Sequence, residues 1–193
     1  MGRRALIESR SIYRGPWRVD ITIRPGVARL VPLTVLARAS CVVLEAAGAP
    51  RPASIGLILS DDTELAGLNA AHMGKDGPTD VLSFPLLPPA AFPAQPGGPA
   101  RGRGQVAELG AEFALPPGRR PHLGDIVVSV ERAIDQAETG RGGQTGDVRW
   151  SASDELRLLV THGTLHVCGW DHAEPAEEAS MRLLEQRLLA GGR

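Results

Sequence analysis

The run His162-Gly163-Thr164-Leu165-His166-Val167-Cys168-Gly169-Trp170-Asp171-His172 holds three of the five histidines in the chain, at the spacing H-x3-H-x5-H. His162 and His166 are four apart, so on a helix they share one face, about one turn apart. Gly169 lets the chain turn, and His172 can then swing back toward that face. Three imidazole nitrogens converging from one side leave a fourth position open, the layout of a catalytic zinc site rather than a closed structural one. The plainer alternative is a half-buried polar pair with a third ring nearby by chance. The surroundings speak against it. Leu156 to Val167 is otherwise apolar, and unpaired polar rings there would be costly. Ligand number, spacing and turn residue together point to a metal on His162, His166 and His172.

Outward from this run, Ser153 to Cys168 reads as the long apolar helix that carries the first two histidines, with a Ser/Asp cap at its start and Glu155 in its first turn. Pro175 opens a last amphipathic helix to about Ala190. Upstream, Leu123 to Val130 reads as a strand and Glu131 to Glu138 as a helix. Thr79 to Phe84 is a strand closed by Pro85, and Gly74 to Pro78 a turn. Asp61-Asp62-Thr63-Glu64 has the pattern of a capping box opening a helix to about His72. Ser54 to Leu59 is a short apolar strand. Pro32 to Ala47 is a helix with proline near its start and Gly48 at its end. Trp17 to Ile23 alternates apolar and polar, as a half-buried strand does. Residues 86–121 hold eight prolines and many glycines with no periodicity, and read as a long mobile loop; Thr139 to Asp147 is Gly-rich and reads as flexible. The sum is an α+β fold with a small mixed sheet of about four strands and about five helices. Residues 17–190 form a single domain behind an N-terminal extension of residues 1–16.

A chain of 193 residues suffices for one full core. No run of eighteen apolar residues is present, so no membrane span is expected, and the arginine-bearing N-terminus lacks the apolar stretch of a secretory signal. Two cysteines, Cys41 and Cys168, make no disulfide framework and fit cytoplasmic residence. Cys168 lies inside the histidine run, but on a different helical face, and reads as a small apolar filler rather than a ligand. The net charge is −1, yet residues 1–60 carry nine arginines. Such a basic half suits a polyanion, and equally a solvated surface in a chain with one lysine.

The helical pair is similar to the H-E-x-x-H pattern of zinc hydrolases, but Gly163 stands where those enzymes have their general-base glutamate, which argues against a metallopeptidase. Metal-bound water can reach a pKa near about 7 without that base. Asp171 is open to two readings: an acceptor for a ligand N–H (or a base), or a turn-forming residue.

At this level of detail the chain resembles the YbeY family of bacterial endoribonucleases and rRNA maturation factors. His162-Gly-x-Leu-His166-x-x-Gly-x-Asp171-His172 looks like its hallmark. Leu68-Asn69, Lys75-Asp76-Gly77-Pro78-Thr79-Asp80-Val81-Leu82-Ser83-Phe84-Pro85 and Leu123-Gly124-Asp125-Ile126 are similar to two further family segments, in the same order. The resemblance runs from about Trp17 to Ala190. It implies a zincin-like fold and a single divalent ion, Zn2+, on His162, His166 and His172. These three, with Asp171, would form the catalytic group. It implies single-strand-selective endoribonuclease activity in 16S rRNA 3′-end maturation and ribosome quality control, in the cytoplasm. The implied partners are single-stranded rRNA and the small ribosomal subunit, with neither a membrane nor a small-molecule cofactor.

Three departures stand out. Met73 occupies a position where the family usually has an arginine, a residue suited to phosphate charge. Lys75, Arg51 and the loop arginines Arg101 and Arg103 are the candidates to contact RNA in its place. His72 stands at the family's usual aromatic position and reads as a surface histidine. The loop at 86–121 is longer than usual, and residues 1–16 lie outside the resemblance. An alternative function is therefore a ribosome-assembly or RNA-binding factor with a structural metal and little or no cleavage.

Overall fold

The computed structural model describes residues 7–98, 120–139 and 151–191. Five strands form one mixed sheet: β1 (Glu8–Arg14), β2 (Trp17–Ile23), β3 (Ala53–Ser60), β4 (Val81–Pro85) and β5 (His122–Ser129), in the spatial order β1-β2-β3-β5-β4. β1 and β2 pair antiparallel, as do β4 and β5, while β2, β3 and β5 run parallel. Five α-helices are described: α1 (Leu33–Ala46), α2 (Asp62–Met73), α3 (Val130–Thr139), α4 (Ala152–Val167) and α5 (Pro175–Ala190). The fold is α+β, as expected from the sequence. No helix among the described residues is long and apolar enough to cross a membrane.

Two element readings need correction. The sheet has a fifth strand, β1, inside the segment read as an N-terminal extension. Its sequence, ESRSIYR, is exposed almost throughout, so it lacks the one-sided apolar alternation that marks β2. Backbone pairing to β2 holds it, and charged side chains guard the edge it presents. The second correction concerns residues 86–98. Pro89–Ala91 forms a single 3-10 turn, and Phe92 and Gln95 are both 3% exposed. This half of the proline-rich stretch packs against the domain. Residues 99–119, with Arg101, Arg103 and Arg119, and residues 140–150 lie outside the described residues.

The core explains the order of the elements. β2 buries alternate residues, whereas β3 and β5 are buried on both faces and read as continuous apolar runs. α1 connects the parallel strands β2 and β3 and packs Leu33, Leu36, Ala37 and Leu44 into the main core. α4 is the central helix: Leu156, Leu159, Val160 and Val167 join the same core. It starts at Ala152, behind a reciprocal capping box of Ser151 and Asp154. At α2 the box is only half made. Asp61 Oδ1 accepts from the Glu64 backbone N at 2.9 Å, but the Glu64 carboxylate turns to Arg24, at 2.7 and 2.6 Å, and to the Ser60 hydroxyl. A two-pronged guanidinium outcompetes one backbone N–H for that carboxylate.

Gly163 sets how closely α4 approaches the sheet. A Cβ there would stand 2.7 Å from Ile126 Cγ2 and 3.0 Å from Val81 Cγ2. The Ser83 hydroxyl donates to the Gly163 carbonyl at 3.0 Å, clasping the helix to β4 at that level. The position where zinc hydrolases of the H-E-x-x-H pattern place a glutamate faces β4 and β5, with no room for a side chain.

Candidate metal centre

α4 ends in a Schellman turn. The Gly169 N–H donates to the His166 carbonyl at 2.9 Å, the Trp170 N–H to the Leu165 carbonyl at 3.0 Å, and Gly169 takes φ +76°, a left-handed conformation that glycine adopts without strain. The turn brings Asp171 and His172 back beside the last turn of the helix. His162, His166 and His172 each offer a ring nitrogen, all within 4.8 Å of one another; this trio could hold a metal ion, and no other such group occurs among the described residues. The ring centroids lie 4.6, 5.5 and 5.0 Å apart for the pairs 162–166, 162–172 and 166–172.

The partners of the rings fix which nitrogens face inward. His162 Nδ1 lies 2.6 Å from Glu185 Oε1, and His166 Nδ1 lies 2.9 Å from the Trp170 carbonyl oxygen. A carboxylate and a carbonyl only accept, so both Nδ1 atoms carry the proton and donate. In the neutral ring the proton-free nitrogen is then Nε2, with its lone pair directed into the cluster. The two Nε2 atoms face each other at 3.0 Å. With no proton between them, two lone pairs at that separation repel, and a cation where they converge removes the repulsion. Burial, and secondarily the charges of His162 and His172, push the His166 pKa down to about 4, so His166 is neutral and able to ligate near pH 7. The donor set thus fits a metal: three imidazoles, two of them oriented from behind by a carboxylate and a carbonyl, as ligating histidines are elsewhere.

His172 is exposed, and its position depends on the main chain around it. The Asp171 backbone N–H donates to Gln95 Oε1 at 2.7 Å, and Gln95 Nε2 donates to the Asp171 carbonyl at 2.8 Å and the Glu177 carbonyl at 2.9 Å. One buried amide therefore clamps the backbone beside the third histidine and joins it to the start of α5. The Asp171 carboxylate accepts from the His172 backbone N–H at 2.8 Å, a local turn bond. The ring N–H groups of His162 and His166 belong to Glu185 and Trp170 instead.

Other residues singled out by the sequence lie apart. Cys168 is fully buried in the core, and burial pushes its thiol up to about 12, so it is the filler its position suggested. Asn69 is buried, donates from Nδ2 to the Gly77 carbonyl at 2.9 Å, and accepts at its own carbonyl from the Gly74 and Lys75 N–H groups. Its place in the motif is that of a brace for the turn before β4. His72 is exposed and meets the Phe84 ring edge-on at 5.1 Å. Met73 is 55% exposed at the end of α2, and Lys75 is exposed just beyond it. Arg51 pairs with Glu45 at 3.3 Å. Glu185 and Gln95 escaped the sequence reading. The only available hint for Glu185 was an acidic residue in the apolar-patterned last helix, and Gln95 sits among prolines and glycines with no pattern at all.

Comparison with known proteins shows the family of the chain. A family model described as Endoribonuclease YbeY matches residues 33–192. Endoribonuclease YbeY of Salinispora tropica is 42% identical over 150 residues, covering 78% of this chain and 81% of the relative. The protein of the same name from Roseiflexus sp. is 34% identical over 172 residues, covering 89% and 90%. The solution structure of TM1509 from Thermotoga maritima superposes with a TM-score of 0.51 at 20% identity, covering 90% of this chain and 88% of that one, a likeness of fold. On the strength of the family model and these relatives, the chain belongs to the YbeY endoribonuclease family.

Proposed function

We propose that this protein is a metal-dependent endoribonuclease that cleaves single-stranded RNA, with one Zn2+ held by His162, His166 and His172. The observation that carries the reading is the pair of Nε2 atoms facing each other at 3.0 Å with both Nδ1 protons directed outward. Imidazole suits zinc among the common ions, and three ligands leave a position for water or substrate. A bound ion would supply an activated water and polarise a phosphoryl oxygen. The chain's own residues do the rest. Glu185 and the Trp170 carbonyl hold two rings in the ligating tautomer. Gln95 and the Asp171 carboxylate hold the turn that presents His172, and the charge of Asp171 also favours the protonated ring of His166. Lys75, Arg51, Arg101 and Arg103 are the proposed contacts to the phosphate backbone.

Within the cell, we assign this activity to 16S rRNA 3′-end maturation and ribosome quality control on the small ribosomal subunit, in the cytoplasm. This assignment rests on family membership. We take residues 17–190 as the single catalytic domain, with β1 as an added edge strand. Met73 favours a second reading, an assembly factor whose metal is structural. Its exposed thioether offers no charge where the family usually has a cation. Incubating the purified protein with single-stranded RNA, with and without chelator, separates the two. Loss of cleavage with the circular dichroism unchanged supports the enzyme. Loss of the fold on chelation supports the structural metal.

A further inference from the structure

A second feature of the surface has no part in the histidine cluster. Between the end of β1, α1 and α4 lies a pocket of about 270 Å³ lined by Arg14, Arg38 and Arg157 together with Thr34 and Thr161. Its remaining lining is Val35, Ala39, Val42 and Leu188, so no carboxylate faces into it. Arg14 and Arg38 form no ion pair among the described residues. The Arg157 side chain is only 14% exposed, and its one ion-pair partner among the described residues, Asp154, stands at 3.5 Å. Three arginines from three separate elements thus line one cavity, and among the described residues Asp154 is the one carboxylate paired with any of them. A cavity lined by one sign of charge attracts an anion.

We propose that this pocket binds a phosphate group. Guanidinium forks match phosphate oxygens in two-pronged fashion, and the two threonine hydroxyls add neutral donors of the kind that line phosphate sites. Three positive charges exceed what a single carboxylate would balance. The phosphate has two possible sources: the backbone of an RNA strand that also reaches the histidine cluster, or a free phosphate. Thr161 directly precedes His162, so the pocket and the cluster draw on the same helix. The assignment rests on the arginines alone and stands or falls separately from the metal centre.

The test uses the full chain with chelator present, so that no RNA is cut. A fluorescent single-stranded oligoribonucleotide is titrated against the wild type and an Arg14→Ala/Arg38→Ala variant at several salt concentrations. Both residues are exposed, so the variant keeps its fold. If RNA fills the pocket, the variant binds about tenfold more weakly, and the slope of log affinity against log salt falls by about 1.4 for two lost phosphate contacts. Inorganic phosphate is titrated in parallel while the arginine Nε–H resonances are followed by NMR. Phosphate-induced shifts that vanish in the variant, with RNA binding unchanged, identify free phosphate as the ligand and uphold the site. Unchanged RNA affinity and slope together with unmoved arginine resonances overturn it. So does tighter binding of a hexaglutamate peptide than of a hexanucleotide.

Discussion

Glu185 of α5 accepts a hydrogen bond from His162 Nδ1 at 2.6 Å, across 23 residues of sequence. The last helix is thereby part of the candidate metal centre. Glu185 orients the ring, and a carboxylate in this place would raise the basicity of the nitrogen offered to an ion. Replacing it with alanine is expected to weaken zinc binding about 10- to 100-fold, and with glutamine by less, since the amide oxygen still accepts but carries no charge. Competition with a chromophoric chelator measures both. Unchanged affinity in Glu185→Ala would show that the ring needs no such support.

Gln95 gives a second prediction. Its amide makes three hydrogen bonds to main-chain atoms of residues 171 and 177. Gln95→Ala leaves buried backbone groups unpaired and is expected to destabilise the fold by about 1–3 kcal/mol in urea unfolding. Because the clamp sets the turn before His172, zinc affinity should also fall in the variant at temperatures where it remains fully folded. Gln95→Glu should retain the bond from the Asp171 N–H but lose those to the two carbonyls.

Gly163 is the third test. Even alanine at this position meets Ile126 Cγ2 at 2.7 Å, so Gly163→Ala should cost about 1–3 kcal/mol through overpacking. Gly163→Glu, which restores the H-E-x-x-H pattern, is expected to push α4 off the sheet and to unfold the domain rather than to create a peptidase. Thermal melts of the two variants check this.

The Arg24–Glu64 pair sets part of the acid stability. The Arg24 guanidinium, hydrogen-bonded to Glu64, holds the Glu64 carboxyl below the usual glutamate range. A depressed folded-state pKa means that the contribution is present above the unfolded value and is lost as pH falls through the folded one. Both side chains are about one-third exposed, so the pair is worth only about 1 kcal/mol. Arg24→Ala should lower stability near pH 7 by that amount and make no difference in strong acid. A difference that persists at low pH would place the effect in packing instead.

Much of the centre was legible in the sequence because it is local. Two histidines four apart, a glycine where the helix ends and a third histidine just beyond need only helix periodicity and turn chemistry, and the Schellman turn at Gly169 supplies both. What was not legible depends on distant contacts. Glu185 looks like any solvated acid until α5 is docked on α4. Gln95 is a polar residue in a proline-rich stretch, and only its burial gives it meaning. Strand β1 carries no one-sided apolar pattern, because an edge strand exposed on both faces is held by backbone pairing to β2. In the sequence Gly163 signals only the glutamate it lacks; its physical reason is the closeness of β4 and β5.

Metal binding by the histidine trio is tested most directly by titrating metal-free protein with Zn2+ for the stoichiometry and with Co2+ for the ligand-field spectrum. The expected result is one ion per chain with an all-nitrogen protein ligand set. His162→Ala, His166→Ala and His172→Ala are each expected to weaken binding sharply while the fold survives, and RNA cleavage is lost in the same variants. Tight, stoichiometric binding that persists when two of these histidines are removed, or cleavage of RNA by protein stripped of metal, would contradict it.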